Sequence, residues 1–265
     1  GESLKPIADK ALNDGWESLY VNYLYEVEID ENGKIKNVIT QHVRERLVRI
    51  KGEYRKVFKW IGNIHETLIN QRETRKTETS DVEILHLSKR EKMLEAMNRN
   101  IKILEHEIFK TQMKDPRPLY YLAKALFDFH QPEPQERAKK LMLMYLSPEE
   151  HESNMSGWKE ERSQAWEYLG EIFREQGQYN NSMKALHNAL VEYPQFPSIY
   201  VGLALTCMLK EDYDSARFWA IMGSKIPVSK STMVRNPRDI ESRMYEVLYN
   251  SGLKTNRIDE AWAAC

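Results

Sequence analysis

Two cysteines are all that the 265-residue chain contains, Cys207 in an apolar helical stretch and Cys265 at the C-terminus. So few provide no disulfide framework and fit a reducing compartment, which makes a cytoplasmic location the expectation. No apolar run approaches the roughly 20 residues needed to cross a bilayer, and GESLKPIADKAL at the N-terminus lacks the zones of an export signal. Neither sign of charge is in excess. With 39 basic and 40 acidic side chains the net charge is −1, so no global field holds the protein on nucleic acid or an anionic membrane. Also missing are GxGxxG, a Walker loop, HExxH, CxxC and a nucleophile elbow, so no familiar catalytic motif announces itself.

What is present is an ordinary globular composition, 41% hydrophobic and 30% charged, which argues against disorder. Residues 4–14 place Leu4, Ile7, Ala8, Ala11 and Leu12 on one helical face, and Gly15 follows as a stop. YVNYLYEVEID (20–30), the turn ENGK and IKNVITQHVRERLVRI then predict a β-hairpin. Two more extended pieces, YRKVFKWIG and VEILHLS, flank the polar stretch NQRETRKTETSD, which is expected to be a loop. After Lys89 the period changes. Met93, Met97, Ile101, Leu104 and Ile108 predict one long helix running up to Asp115-Pro116.

Internal repetition dominates the remainder. AWEYLGEIFREQGQYNNSMKALHNALVEYP (165–194) fits the tetratricopeptide pattern, with Trp166, Leu169, Gly170 and Phe173 on a first helix, Gly177 and Tyr179 at its end, and Leu186, Ala189 and Pro194 on and after a second. Moving 34 residues on puts Tyr200, Leu203, Ala204, Cys207, Tyr213, Ala216, Ala220 and Gly223 at the same places. A looser copy spans 119–146, its PEP-containing turn read as lengthened, and another spans 244–264 with Ala261 as its small residue. Small residues such as Gly170, Ala204 and Ala216 allow close helix approach, and each hairpin needs its neighbour to bury its face. The expected fold class is therefore α+β, a small mixed α/β N-terminal part followed by an all-α array of about four hairpins.

Candidate chemistry is local. In VFKWIGNIHETLI (57–69) the adjacent His65 and Glu66 suit a metal ligand and an acid/base or orienting carboxylate, and they equally suit an ordinary surface pair on a hairpin. His86, between Leu85 and Leu87, reads as a hydrogen-bonded strand histidine. RERLVRIKGEYRKVFK (44–59) carries seven basic and two acidic residues, which fits phosphate binding or the solvated face of a strand pair. It is a poor footprint for duplex DNA.

The order HVRERLVR, VFKWIGNIHETL, VEILHL, RNIKIL and DPRPLYYLA ahead of the hairpins resembles the C-terminal portion of bacterial and phage family 2 glycosyltransferases, which join a GT-A catalytic domain to a helical tail. The resemblance implies that residues 1–88 are the end of a GT-A-like domain, 89–114 a connecting helix and 115–265 the repeats. It implies catalytic roles for Glu66 and Trp60, a metal ligand in His65, and substrate contacts from Arg46, Arg49 and Gly62. It further implies a divalent cofactor, Mn or Mg, a nucleotide-sugar donor and an acceptor. Asp115 and Arg117 are expected to join the two parts. The nucleotide-binding half and its D-x-D motif have no counterpart; Asp212 and Asp214 match by letters but fall in a repeat turn beside Tyr213. On this resemblance the 265 residues begin after the metal motif and are inactive by themselves.

The alternative is an interaction scaffold without enzymatic activity, the repeats gripping a peptide, a partner subunit or another copy through a face that includes Tyr168, Tyr200, Asn180 and Asn181.

Overall fold

The computed structural model describes residues 5–49, 58–61, 67–70, 77–85, 90–112, 115–147, 158–227, 231–234 and 236–263. The chain divides into two compact units, residues 1–92 with 230–235, and residues 93–229 with 236–265.

In the first unit α1 (Lys5–Asn13) ends at Gly15, whose φ of 74° supplies the left-handed stop expected of that glycine. β1 (Ser18–Ile29) and β2 (Ile35–Val48) form the predicted antiparallel hairpin. Its turn is set by Asp30, whose Oδ1 accepts from the Asn32 and Lys34 N–H groups at 2.9 and 2.8 Å, and by Gly33 at φ 77°. Leu19, Val21 and Leu24 on β1 are buried.

A short hairpin follows, β3 (Phe58–Ile61) against β4 (Thr67–Asn70), with Trp60 opposite Leu68. β5 (Thr77–Leu85) then pairs in parallel with β1, giving the strand order β2-β1-β5. β5 corrects the sequence reading, because Thr77–Asp81 of the supposed polar loop is strand. Threonine suits extended backbone, and the pairing with β1 holds this segment as strand.

The second unit is helical. α2 (Arg90–Thr111) matches the long period seen in the sequence. Four helical hairpins follow: α3 (Arg117–Phe127) with α4 (Pro132–Leu146), α5 (Lys159–Glu175) with α6 (Tyr179–Glu192), α7 (Pro197–Leu209) with α8 (Tyr213–Ser224), and α9 (Met244–Lys254) with α10 (Ile258–Ala263). A π-helical turn, Asp239–Arg243, leads into α9. The α3–α4 turn, residues 128–131, is one residue longer than the other three, while the PEP letters themselves are helix. Pro132 opens α4, where the missing N–H has no intrahelical acceptor to lose.

Each hairpin turns at one residue of positive φ: His130 (49°), Gly177 (71°), Glu211 (60°) and Asn256 (58°). The turn geometry repeats: Gln178, Asp212 and Arg257 N–H groups donate to the Phe173, Cys207 and Gly252 carbonyls at 2.8, 3.0 and 2.9 Å. Asp212 caps α8, its Oδ1 accepting from Ser215 N–H at 3.1 Å. Between hairpins, close approach depends on small residues. A Cβ on Gly170 would lie 2.7 Å from Leu186 Cγ, and one on Gly202 would lie 3.0 Å from Leu186 Cδ2, so a single leucine of α6 packs over glycines of α5 and α7. Ala204, Ala216 and Ala220 are fully buried.

Candidate functional site

Of the residues implied in sugar transfer, Gly62, His65 and Glu66 lie outside the described residues, in the sequence between the paired ends Ile61 and Thr67. Trp60 is on β3. Arg46 occupies a β-bulge of β2: Leu19 faces Leu47 and Tyr20 faces Glu45, leaving Arg46 as the extra residue. Arg49 follows β2, and its N–H donates to the Glu17 carbonyl at 2.9 Å, closing the open end of the β1–β2 hairpin. Among the described residues no group of three or more His, Cys, Asp or Glu side chains converges as a metal site would require. His86 lies outside the described residues. No described helix is long and apolar enough to cross a membrane.

In the helical unit the most polar buried centre joins α3, α4 and α5. Glu161, 2% exposed, receives Arg117 Nε at 2.8 Å, with Tyr121 Oη at 3.4 Å and Tyr145 Oη at 3.5 Å. Arg117 also lies 4.5 Å from the centre of the Trp158 ring, a cation–π contact. Tyr120 Oη donates to Gln164 beside it. Burial pushes the Glu161 carboxyl above its ordinary range despite the opposing pull of Arg117, and burial likewise raises the phenols of Tyr120 and Tyr145. Glu161, Arg117, Tyr121, Tyr145, Tyr120 and Gln164 bond one another across α3, α4 and α5, so the centre is a structural lock between hairpins. Arg117, expected to join two parts of the chain, ties α3 to α5. The sequence held no signal for Glu161, because its partner is 44 residues away.

The letters Asp212-Tyr213-Asp214 are likewise structural. Asp212 is the cap of α8, held below the usual carboxylate range by hydrogen bonds from Ser215, and Asp214 pairs with Arg257 at 2.7 Å.

A different region offers an open surface. On α6 the exposed stripe is Asn180, Lys184, His187 and Val191, and on α8 it is Asp214, Phe218 and Met222, with Lys225 at the C-cap. Trp219 joins them, its ring 5.6 Å from His187 and 5.2 Å from Phe218, and 6.3 Å from Tyr200 beneath. His187 is held by a hydrogen bond of Nδ1 to the Met183 carbonyl, 2.8 Å. Val191 is 84% exposed and Phe218 53%. Large apolar side chains gathered on the outward stripes of two neighbouring helices mark a contact surface rather than scatter.

The face residues named from sequence divide. Tyr200 is corrected: it is 7% exposed, its Oη donating to the Pro194 carbonyl at 3.1 Å, because Gly223 of α8 lets the helix close over it. Tyr168 is half-buried, its ring 4.8 Å from Phe127. Asn180 and Asn181 are exposed on α6, bonded to Lys210 and Gln178. The apolar outward stripe was missed because consensus matching inspects inward positions. Its signal was the run Phe218, Trp219, Ala220, Ile221, Met222 in α8, five consecutive apolar residues that one buried face does not explain.

No protein-family model and no curated protein matches the sequence. Among solved structures the chain is similar to BtubC (BKLC) from P. vanneervenii, with a TM-score of 0.51 and 16% identity, over 65% of this chain and 72% of that one. MamA (TM-score 0.49, 14% identity, 66% and 88% covered) and PilF of Pseudomonas aeruginosa (0.45, 14%, 63% and 68%) are further similar structures. At these identities the likeness concerns the fold alone, a tetratricopeptide-type helical repeat array.

Proposed function

We propose that the chain is a protein-interaction scaffold that works through its helical array, with the surface across α6 and α8 as the contact. The observation that carries this reading is the outward cluster of Val191, His187, Phe218, Trp219 and Met222 on two helices whose inward faces are already buried. Stacked hairpins present such a surface without rearrangement, so little conformational entropy is lost when a partner binds. Trp219 and Phe218 are the aromatic anchors, the residue types that dominate binding energy at interfaces.

The test is a Val191→Glu, Phe218→Glu double variant compared with the wild-type chain, for self-association by sedimentation equilibrium and for partner capture. Loss of association with an unchanged far-UV circular dichroism spectrum supports the reading. Equal association in both chains overturns the choice of surface.

A role in glycosyl transfer is the second reading. Its support is the motif order of the sequence, W-x-G-x-x-H-E followed by R-N-x-x-I-L and D-P-R. It requires a nucleotide-sugar donor, an acceptor and Mn or Mg. Calorimetric titration with uridine and guanosine diphosphates in Mn addresses it, and the absence of heat both from this chain and from a version extended at the N-terminus ends it.

A further inference from the structure

We infer that the surface across α6 and α8 takes an acidic amphipathic helix, a partner segment with apolar anchors flanked by carboxylates. The inference rests on the scaffold reading and adds the chemistry of the partner.

The apolar part sets the shape. Phe218 and Met222 are four residues apart on α8, His187 and Val191 four apart on α6, and Trp219 contacts both His187 and Phe218. Two i, i+4 pairs bridged by an indole present rows of the spacing that the i, i+3, i+4 and i+7 anchors of a docked helix engage.

Charge sets the sign. The acids beside the surface are already engaged: Asp214 pairs with Arg257 at 2.7 Å, and Glu192 with Arg162 at 2.8 Å. The cations are not balanced in this way. Among the described residues neither Lys184 nor Lys225 has an ion-pair partner, and Lys210 Nζ bonds only to the neutral Asn180 side chain, at 3.1 Å. The acids left without an ion pair there are Glu211 and Asp212, both in the α7–α8 turn, and Asp212 already feels the charge of Lys210. The apolar ridge is thus flanked by more uncompensated positive than negative charge, although the whole chain is nearly neutral. Carboxylates placed beside the anchors of an incoming helix meet these lysines, which gives orientation and speeds association.

The experiment uses the full chain and a fluorescein-labelled helix-forming peptide of about 14 residues, with Leu and Phe at i, i+3, i+4 and i+7 and Glu at the flanking positions. A matched peptide carries Lys in place of Glu. Anisotropy is read at low salt and at about 0.3 M salt, where exposed charges are largely screened. The expected result is that the Glu peptide binds at least about tenfold more tightly than the Lys peptide, and loses that advantage in salt and in a Lys184→Glu, Lys225→Glu variant. Phe218→Ser abolishes binding of both. Equal binding of the two peptides overturns the charge assignment and leaves the scaffold reading standing. Failure of both peptides, with self-association that the Val191→Glu, Phe218→Glu pair removes, overturns the acidic partner in favour of a second copy. Sedimentation with phosphatidylserine vesicles in place of peptide binding overturns it in favour of a membrane surface.

Discussion

Glu161 is a buried carboxyl held by Arg117, Tyr121 and Tyr145. A carboxyl whose folded-state affinity for its proton is raised makes the folded chain bind more protons than the unfolded chain. Its contribution to stability is therefore full below the unfolded pKa of about 4.5 and is lost as pH rises through the higher folded value. Glu161→Gln removes this component, so melting temperatures measured across the acidic range should fall less with pH than those of the wild type. At neutral pH, where burial disfavours the ionised carboxyl even beside Arg117, the same variant should unfold at an equal or higher urea concentration than the wild type. Asp212 runs the opposite way: its carboxyl is lowered by Ser215, so its stabilising share is present above a pH of about 4 and disappears as pH falls. Asp212→Ala should cost about 1 kcal/mol at neutral pH. Glu211, held at φ 60° without a glycine's freedom, should be improved by Glu211→Gly, by up to about 1 kcal/mol or roughly 2–4 °C in melting temperature.

At the scale of helices and strands, packing is controlled by where a Cβ is missing. A methyl at Gly170 meets Leu186 at 2.7 Å, and one at Gly223 meets the Tyr200 Cβ at 2.6 Å as well as Met244. Gly170→Ala and Gly223→Ala should each destabilise by about 1–3 kcal/mol, read by chemical unfolding. Because Leu186 packs over both Gly170 and Gly202, Gly170→Ala should also lower amide-exchange protection in α7, not only in α5 and α6. These positions were legible in the sequence, where Gly170, Leu186 and the 34-residue shift stood out, as were the β1–β2 hairpin and the long α2. The strand β5 was not legible, since TETSD has neither apolar alternation nor β-branched density enough to outweigh its polarity. Neither was the lock between α3 and α5, which joins residues no periodicity relates. The sugar-transfer residues divide the same way: Arg46 is a bulge residue that only strand register reveals, while Gly62, His65 and Glu66 fall outside the described residues.

For the molecule as a whole, the two units differ in how their order arises. The sheet unit is fixed by strand pairing between distant segments, and the helical unit by contacts between sequence neighbours. The left-handed turn residues show what the second kind of order permits. Successive turns are separated by 47, 34 and 45 residues, yet the last three hairpins make the same turn. Most of the surplus lies between Leu146 and Lys159 and between Ser224 and Met244, with only one extra residue in a turn, that of α3–α4. Length in this protein is thus free where hairpins are strung together and nearly fixed where each one folds back. A foreign epitope spliced between Ser147 and Trp158 should leave the array intact, whereas a single residue inserted beside Glu211 would rotate α8 by about 100° and turn its anchors inward.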